Sequence, residues 1–212
     1  MHNVRWLTEI AAQTLFFLLN SFPQIINMKT REHYLELLNS NISNPKMIAH
    51  CLASEAVMRA LAVKLGEDVD KWGLAGLLHD LDVEITNGDS YKHGNITVEI
   101  LSKEDFPADA VEAILLHNEK ATGRLRSTTF DHALAAGETI TGLIFAVALV
   151  YPDKKISSVK TKSVVKRMKE KLFAASVHRE NIMECEKIGI PLDEFAELAI
   201  GALAPIEKEL GF

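Results

Sequence analysis

The segment Gly73-Leu-Ala-Gly-Leu-Leu-His-Asp-Leu81 puts an imidazole and a carboxylate into a run with no other reason to meet water. Whatever fold this chain adopts must bury that run and still satisfy His79 and Asp80. The same conflict recurs elsewhere. His50 lies inside Ile48-Ala-His-Cys-Leu-Ala53, His117 follows Ala113-Ile-Leu-Leu116, and Glu138 is the only formally charged residue between Asp131 and Asp153. A carboxylate buried alone is very unfavourable, so it pairs, binds a metal or becomes neutral. Basic partners are scarce: between Pro45 and Leu65 they are Lys46, Arg59 and Lys64, at ends or polar-face positions. A divalent cation would satisfy Asp80, Glu138 and the neutral imidazoles together. Imidazole and carboxylate without thiolate suit iron, manganese, cobalt, nickel or zinc, as one ion or two. Magnesium prefers an all-oxygen shell.

These residues fall on predicted helices. From Pro45 to Leu65 apolar residues recur at three- and four-residue intervals, with Asn44-Pro45 as a start signal and Gly66 as a stop. A second helix is expected over 68–81, where Gly73 and Gly76 would let another helix approach closely. Residues 86–91 read as a turn-rich loop. A short helix follows His93, another spans about 107–117, residues 118–129 read as loop, and a long apolar helix occupies about 131–150. The segment 154–171 holds eight basic residues and one acid. Two more helices follow, with Pro191 in the first turn of the last. No run of period-two strands appears, so the expected fold is all-α.

Length and composition bound the rest. With 212 residues, 48% of them hydrophobic and 25% charged, the chain suits one domain with appendages. Residues 1–27 are read as an extension that the domain opening at Met28 does not require, with an accessory amphipathic helix as the other reading. The domain proper is placed at 28–150 and a C-terminal helical extension on the same domain at 151–212. The net charge of −6 argues against a dedicated nucleic-acid binder. Cys51 and Cys185, with no CxxC, suggest neither a disulfide framework nor a cysteine metal site. The apolar run around Glu138 approaches membrane-spanning length, but Glu138, Thr139, Thr141 and two glycines in it argue against insertion. A cytoplasmic protein without membrane association is expected, with a homo-oligomer left open.

The order His50, His79-Asp80, His93, His117, acidic residue resembles the HD superfamily of metal-dependent phosphohydrolases. Leu74-Ala-Gly-Leu-Leu-His-Asp-Leu-Asp82 looks like the hallmark of its HDIG-type members. The likeness covers about residues 30–150. Residues 133–200, with Gly137-Glu-Thr-Ile-Thr-Gly-Leu-Ile144, are similar to bacterial and archaeal members. The resemblance implies an HD-domain helical bundle. It assigns His50, His79 and Asp80 to a first metal, with Glu138 where the family usually has Asp. Asp80 would bridge to a second ion held by His93 and His117. Many relatives carry Lys shortly after the HD pair; here the stretch is Leu81-Asp-Val-Glu84. Asp82 and Glu84 are therefore considered, beside Asp80, as groups that orient a ligand or accept a proton.

The leading expectation is hydrolysis of a phosphate ester, of a nucleotide or a related phosphomonoester or diester, in which a metal lowers the pKa of water. Lys92, Lys120, Arg124 and Arg126 are the cations near the motifs that would hold a small phosphorylated substrate. Two other readings stay open at this point: a di-iron oxygenase, and a non-catalytic metal- or nucleotide-binding regulatory domain.

Overall fold

The computed structural model describes residues 28–212, so the reading of residues 1–27 lies outside the described residues. Within them the fold is all-α, with no strand. Helix α1 (Arg31–Asn41) is capped by the Thr30 hydroxyl. Helix α2 (Pro45–Leu65) starts where the Asn44 side chain accepts from Lys46 N with Pro45 behind it, and stops at Gly66, whose φ is 75°. Both ends therefore use the residues that local chemistry favours. Helix α3 (Val69–Leu78) follows after a short turn, capped by Asp68.

Helix α3 ends three residues before the expected Leu81, because His79 terminates it and the chain turns through residues 79–86. Helices α4 (Asn95–Leu101) and α5 (Ala108–His117) lead to the single-turn α6 (Glu119–Thr122), which lies inside the segment expected to be loop. The long α7 (Thr129–Leu149) opens on a capping box between Thr128 and Asp131. Beyond it come a 3-10 turn, α8 (Thr161–Met168), the single-turn α9 (Arg179–Ile182), a second 3-10 stretch (Met183–Ile188) and α10 (Leu192–Leu203). Pro191 precedes α10 as its N-cap rather than sitting in the first turn.

Helix α7 is the centre of the molecule. Helices α2, α3 and α5 pack on it, as do α8, α9, α10 and the 183–188 stretch. By length and composition α7 could cross a membrane, but 67% of its most apolar window is buried inside the protein. Its hydropathy follows from being a core helix. Trp72 of α3 stacks on Phe130 at its start, ring centroids 4.7 Å apart. Gly76 sets the closest approach: a Cβ there would lie 2.6 Å from the Ser54 carbonyl oxygen, so α2 and α3 meet backbone to backbone. That contact brings the second turn of α2 beside the end of α3.

Candidate metal centre

Five helix-borne or loop-borne side chains converge where α2, α3, α5 and α7 meet. His50 comes from α2, His79 and Asp80 from the end of α3, His93 from the loop before α4, and His117 from the last residue of α5. His79, Asp80 and His117 are buried. Asp80 stands in the middle. Its Oδ1 is 3.0 Å from His93 Nε2, 3.4 Å from His79 Nε2 and 3.6 Å from His117 Nε2, and its Oδ2 is 3.5 Å from His50 Nε2. Two triads share this carboxylate, His50–His79–Asp80 and Asp80–His93–His117, each with its potential ligand atoms within 4.8 Å of one another. Glu138 of α7 stands at the rim, its Oε2 3.9 Å from His50 Nε2.

The far side of each imidazole determines what the near side can do. His79 Nδ1 donates to the Gly76 carbonyl at 2.8 Å and His117 Nδ1 to that of Ile114 at 2.5 Å. The Thr141 hydroxyl donates its one proton to the Glu138 carbonyl at 2.6 Å, so at His50 Nδ1, 2.9 Å away, it accepts. In neutral His50 and His79 the Nε2 atoms are therefore bare lone pairs, yet they face each other at 3.2 Å. A proton or a cation between them would relieve that contact. Burial lowers the pKa of His50 and pushes His79 down to about 3, which disfavours a proton in that role. A metal ion fits: neutral imidazole and carboxylate are the donors a divalent transition metal takes.

The charges agree with that fit. Burial alone would raise Asp80, but the surrounding imidazoles hold its carboxyl well below the usual range. Burial lifts Glu138 to about 8, the Asp80 charge adding to it against a bond from Thr139. A cation beside these acids removes that penalty. His93 is the exception: burial acts downward, but Asp80 and Asp82 outweigh it and carry the imidazole up to about 10, so an ion held by its Nε2 would have to displace a proton that these two acids retain.

The structure separates the other candidate residues. Asp82 is fully buried and engaged: it accepts from His93 Nδ1 at 2.6 Å, Gly94 N at 2.8 Å and Thr97 N at 3.0 Å. It aims His93 at Asp80 and touches no open space, so its placement is that of an orienting group, not a proton acceptor for substrate. Gly94 makes this geometry accessible, since its φ of 96° is a region that favours glycine. Glu84 lies away from the cluster. It accepts from Ser43 N, Ser43 Oγ and Asn44 N and so closes the turn into α2; the expectation of a catalytic Glu84 is not met.

Among the cations, Lys92 is exposed beside Asp89, and Arg124 is paired with Glu112 at the surface. Arg126, read from sequence as a phosphate ligand, is buried and bonds the Leu116 and His117 carbonyls and Glu184. It thus holds the C-terminal carbonyls of the helix that ends in His117. Lys120 makes no ion pair among the described residues and lines a cavity of about 240 Å³ with His117, Asn118, Arg126 and His178. A second cavity of about 180 Å³ is lined by His50, Glu138, Thr139, Gly142 and His178. The sequence reading missed Thr141 as the partner of His50. Its one available sign was its place one helical turn beyond Glu138.

The family description that matches the chain is the HD domain, over residues 47–149. Ribonuclease Y of Latilactobacillus sakei subsp. sakei (strain 23K) is 29% identical over 114 residues, which are 54% of this chain and 20% of that one. The chain thus spans about a fifth of the length of this curated relative. No solved structure matches the chain.

Proposed function

We propose, from the match of residues 47–149 to the HD domain family, that the protein is a metal-dependent hydrolase of phosphate esters. The observation that carries this reading is the pair of bare Nε2 atoms of His50 and His79, 3.2 Å apart beside Asp80, with both Nδ1 atoms already committed. His50, His79, Asp80 and Glu138 would hold one ion, and Asp80, His93 and His117 a second. Such ions supply Lewis acidity and lower the pKa of bound water towards neutrality.

The chain's own residues do the positioning. Asp80 turns Oδ1 to His79, His93 and His117 and Oδ2 to His50, and so ties the two triads together. Backbone carbonyls of Gly76 and Ile114, the Thr141 hydroxyl and the Asp82 carboxylate fix the four rings, which raises ligand basicity and leaves little to reorganise. Lys120 stands exposed on the His117 side, where a phosphate bound at the cluster would meet its charge. The acidic balance of the chain favours a small phosphorylated substrate over a polymer. A ribonuclease among its relatives keeps phosphodiesters in the class to be assayed.

The test couples metal analysis to phosphate release from nucleotides and generic phosphate mono- and diesters. Wild-type protein should contain a transition metal and turn over an ester without consuming oxygen. Asp80→Ala should lose metal and turnover while its circular dichroism stays close to wild type. Full activity in Asp80→Ala would refute the site.

A further inference from the structure

Resting on the hydrolase reading, we infer that His178, carried by the C-terminal extension outside residues 47–149, binds the substrate phosphate beside the metal centre. His178 is the one residue shared by the two cavities that flank the cluster: it lines the first with His117 and Lys120, and the second with His50 and Glu138. Each cavity thus has a candidate ligand on one wall and this imidazole on another.

The loop behind His178 is built to hold a fixed position. Arg179 bonds the carbonyls of Ala174 at 2.6 Å, Val177 at 2.7 Å, Glu170 at 3.5 Å, and Phe173. A guanidinium that satisfies four carbonyls of one loop cross-links it. Ala174 sits at φ 45°, a conformation costly for a residue with a Cβ, and Arg179 secures its carbonyl. The loop also seats closely on α7. A Cβ on Gly142 would lie 3.4 Å from Val177 Cγ2. Asn181, just beyond, donates to Thr139 Oγ1 at 3.4 Å and accepts from Arg126 Nη1 at 3.3 Å. The extension therefore grips the residue next to Glu138 and the arginine that secures His117.

His178 itself remains accessible, with 64% of its side chain exposed and Nδ1 3.3 Å from Glu180 Oε1. That leaves the Nε2 edge for a ligand. As imidazolium the ring donates from both nitrogens, to Glu180 from Nδ1 and to a phosphate oxygen from Nε2. The two carboxylates on the same cavity are engaged, Glu180 with His178 and Glu119 with Arg126 N. Lys120 on the same cavity provides a second cationic contact.

The experiment titrates inorganic phosphate into manganese-loaded wild type and His178→Ala by calorimetry, with metal content measured on both. Equal metal content with phosphate binding weakened roughly tenfold or more, the loss of one charge-assisted hydrogen bond, is the expected result. With a turned-over ester, KM should rise by a similar factor and kcat change less, and His178→Gln should recover part of the loss. Unchanged phosphate affinity in His178→Ala overturns the inference and leaves the hydrolase reading standing. Loss of metal from His178→Ala overturns it too, by making the residue a support of the cluster. Metal-loaded wild type that binds no phosphate overturns the inference and the hydrolase reading together.

Discussion

Asp82 shows how a residue beside the reactive centre serves it without touching it. Three donors converge on a fully buried carboxylate, one of them the ring that Asp80 receives. In Asp82→Asn the amide oxygen keeps the two backbone N–H donors and the NH2 faces His93 Nδ1, which must then accept, so the ring proton shifts to Nε2, the atom offered to a metal, and the charge-assisted bond is lost. We expect a stability loss of about 1–3 kcal/mol in thermal or urea unfolding. Manganese affinity should fall about 10–100-fold, as happens when a ligand histidine loses its outer partner. Retention of wild-type metal affinity would show that His93 is oriented by something else. At this scale the sequence was informative wherever a polar residue interrupts an apolar run. His50, His79, Asp80 and His117 stand out that way, and the structure brings them together. Asp82 and Glu84 could not be told apart, since both follow the His-Asp pair at a helix end. Their difference lies in distant partners, His93 and Thr97 for one, Ser43 and Asn44 for the other.

At the scale of elements, the contact between α2 and α3 sets the distance between His50 and His79. Helix propensity alone predicts that Gly76→Ala would gain about 1 kcal/mol. The new Cβ, however, would meet the Ser54 carbonyl oxygen at 2.6 Å and Met58 Cγ at 2.9 Å. A backbone atom cannot rotate away, so the helices must separate, at about 1–3 kcal/mol for an overpacked core. The variant should melt at a lower temperature and gain less from added manganese than wild type does. A melting temperature at or above wild type would place the helices differently. Helix positions were legible from periodicity and caps: Asn44-Pro45 and Gly66 bound α2 as expected. The end of α3 was not, because His79 continues an apolar helical pattern. What stops the helix is the turn that carries Asp80 and Asp82 into the cluster, and periodicity does not encode that.

For the whole molecule, the residues after 150 act as part of the site's support. Glu184 accepts from Arg126 at 2.9 Å and from His132 at 2.7 Å, linking the C-terminal segment to α7 and to the end of α5. Burial would raise its pKa, but His132 and Arg126 overcome this and hold it below its ordinary 4.5. A carboxylate lowered in the folded state contributes stability that is fully present above the unfolded value and is lost as pH falls through the folded one. Glu184→Gln should therefore cost about 1–2 kcal/mol at neutral pH, allowing for partial solvent access. The gap between variant and wild type should close as acid takes the solution below pH 4.5 and on through the lowered value. A gap independent of pH would mean the charge is not what stabilises. Arg126 was legible only as a cation near the motifs. Its burial depends on a partner 58 residues away, which no local pattern announces.

The proposed chemistry requires the bare nitrogens of His50 and His79 to share a cation with Asp80. The most direct measurement is a crystal structure of manganese-loaded protein with anomalous difference density collected near the metal absorption edge. A peak is expected within bonding distance of His50 Nε2, His79 Nε2 and Asp80, and a second bounded by Asp80, His93 and His117. Anomalous density absent from both positions, with the four rings held as they are here, would contradict it.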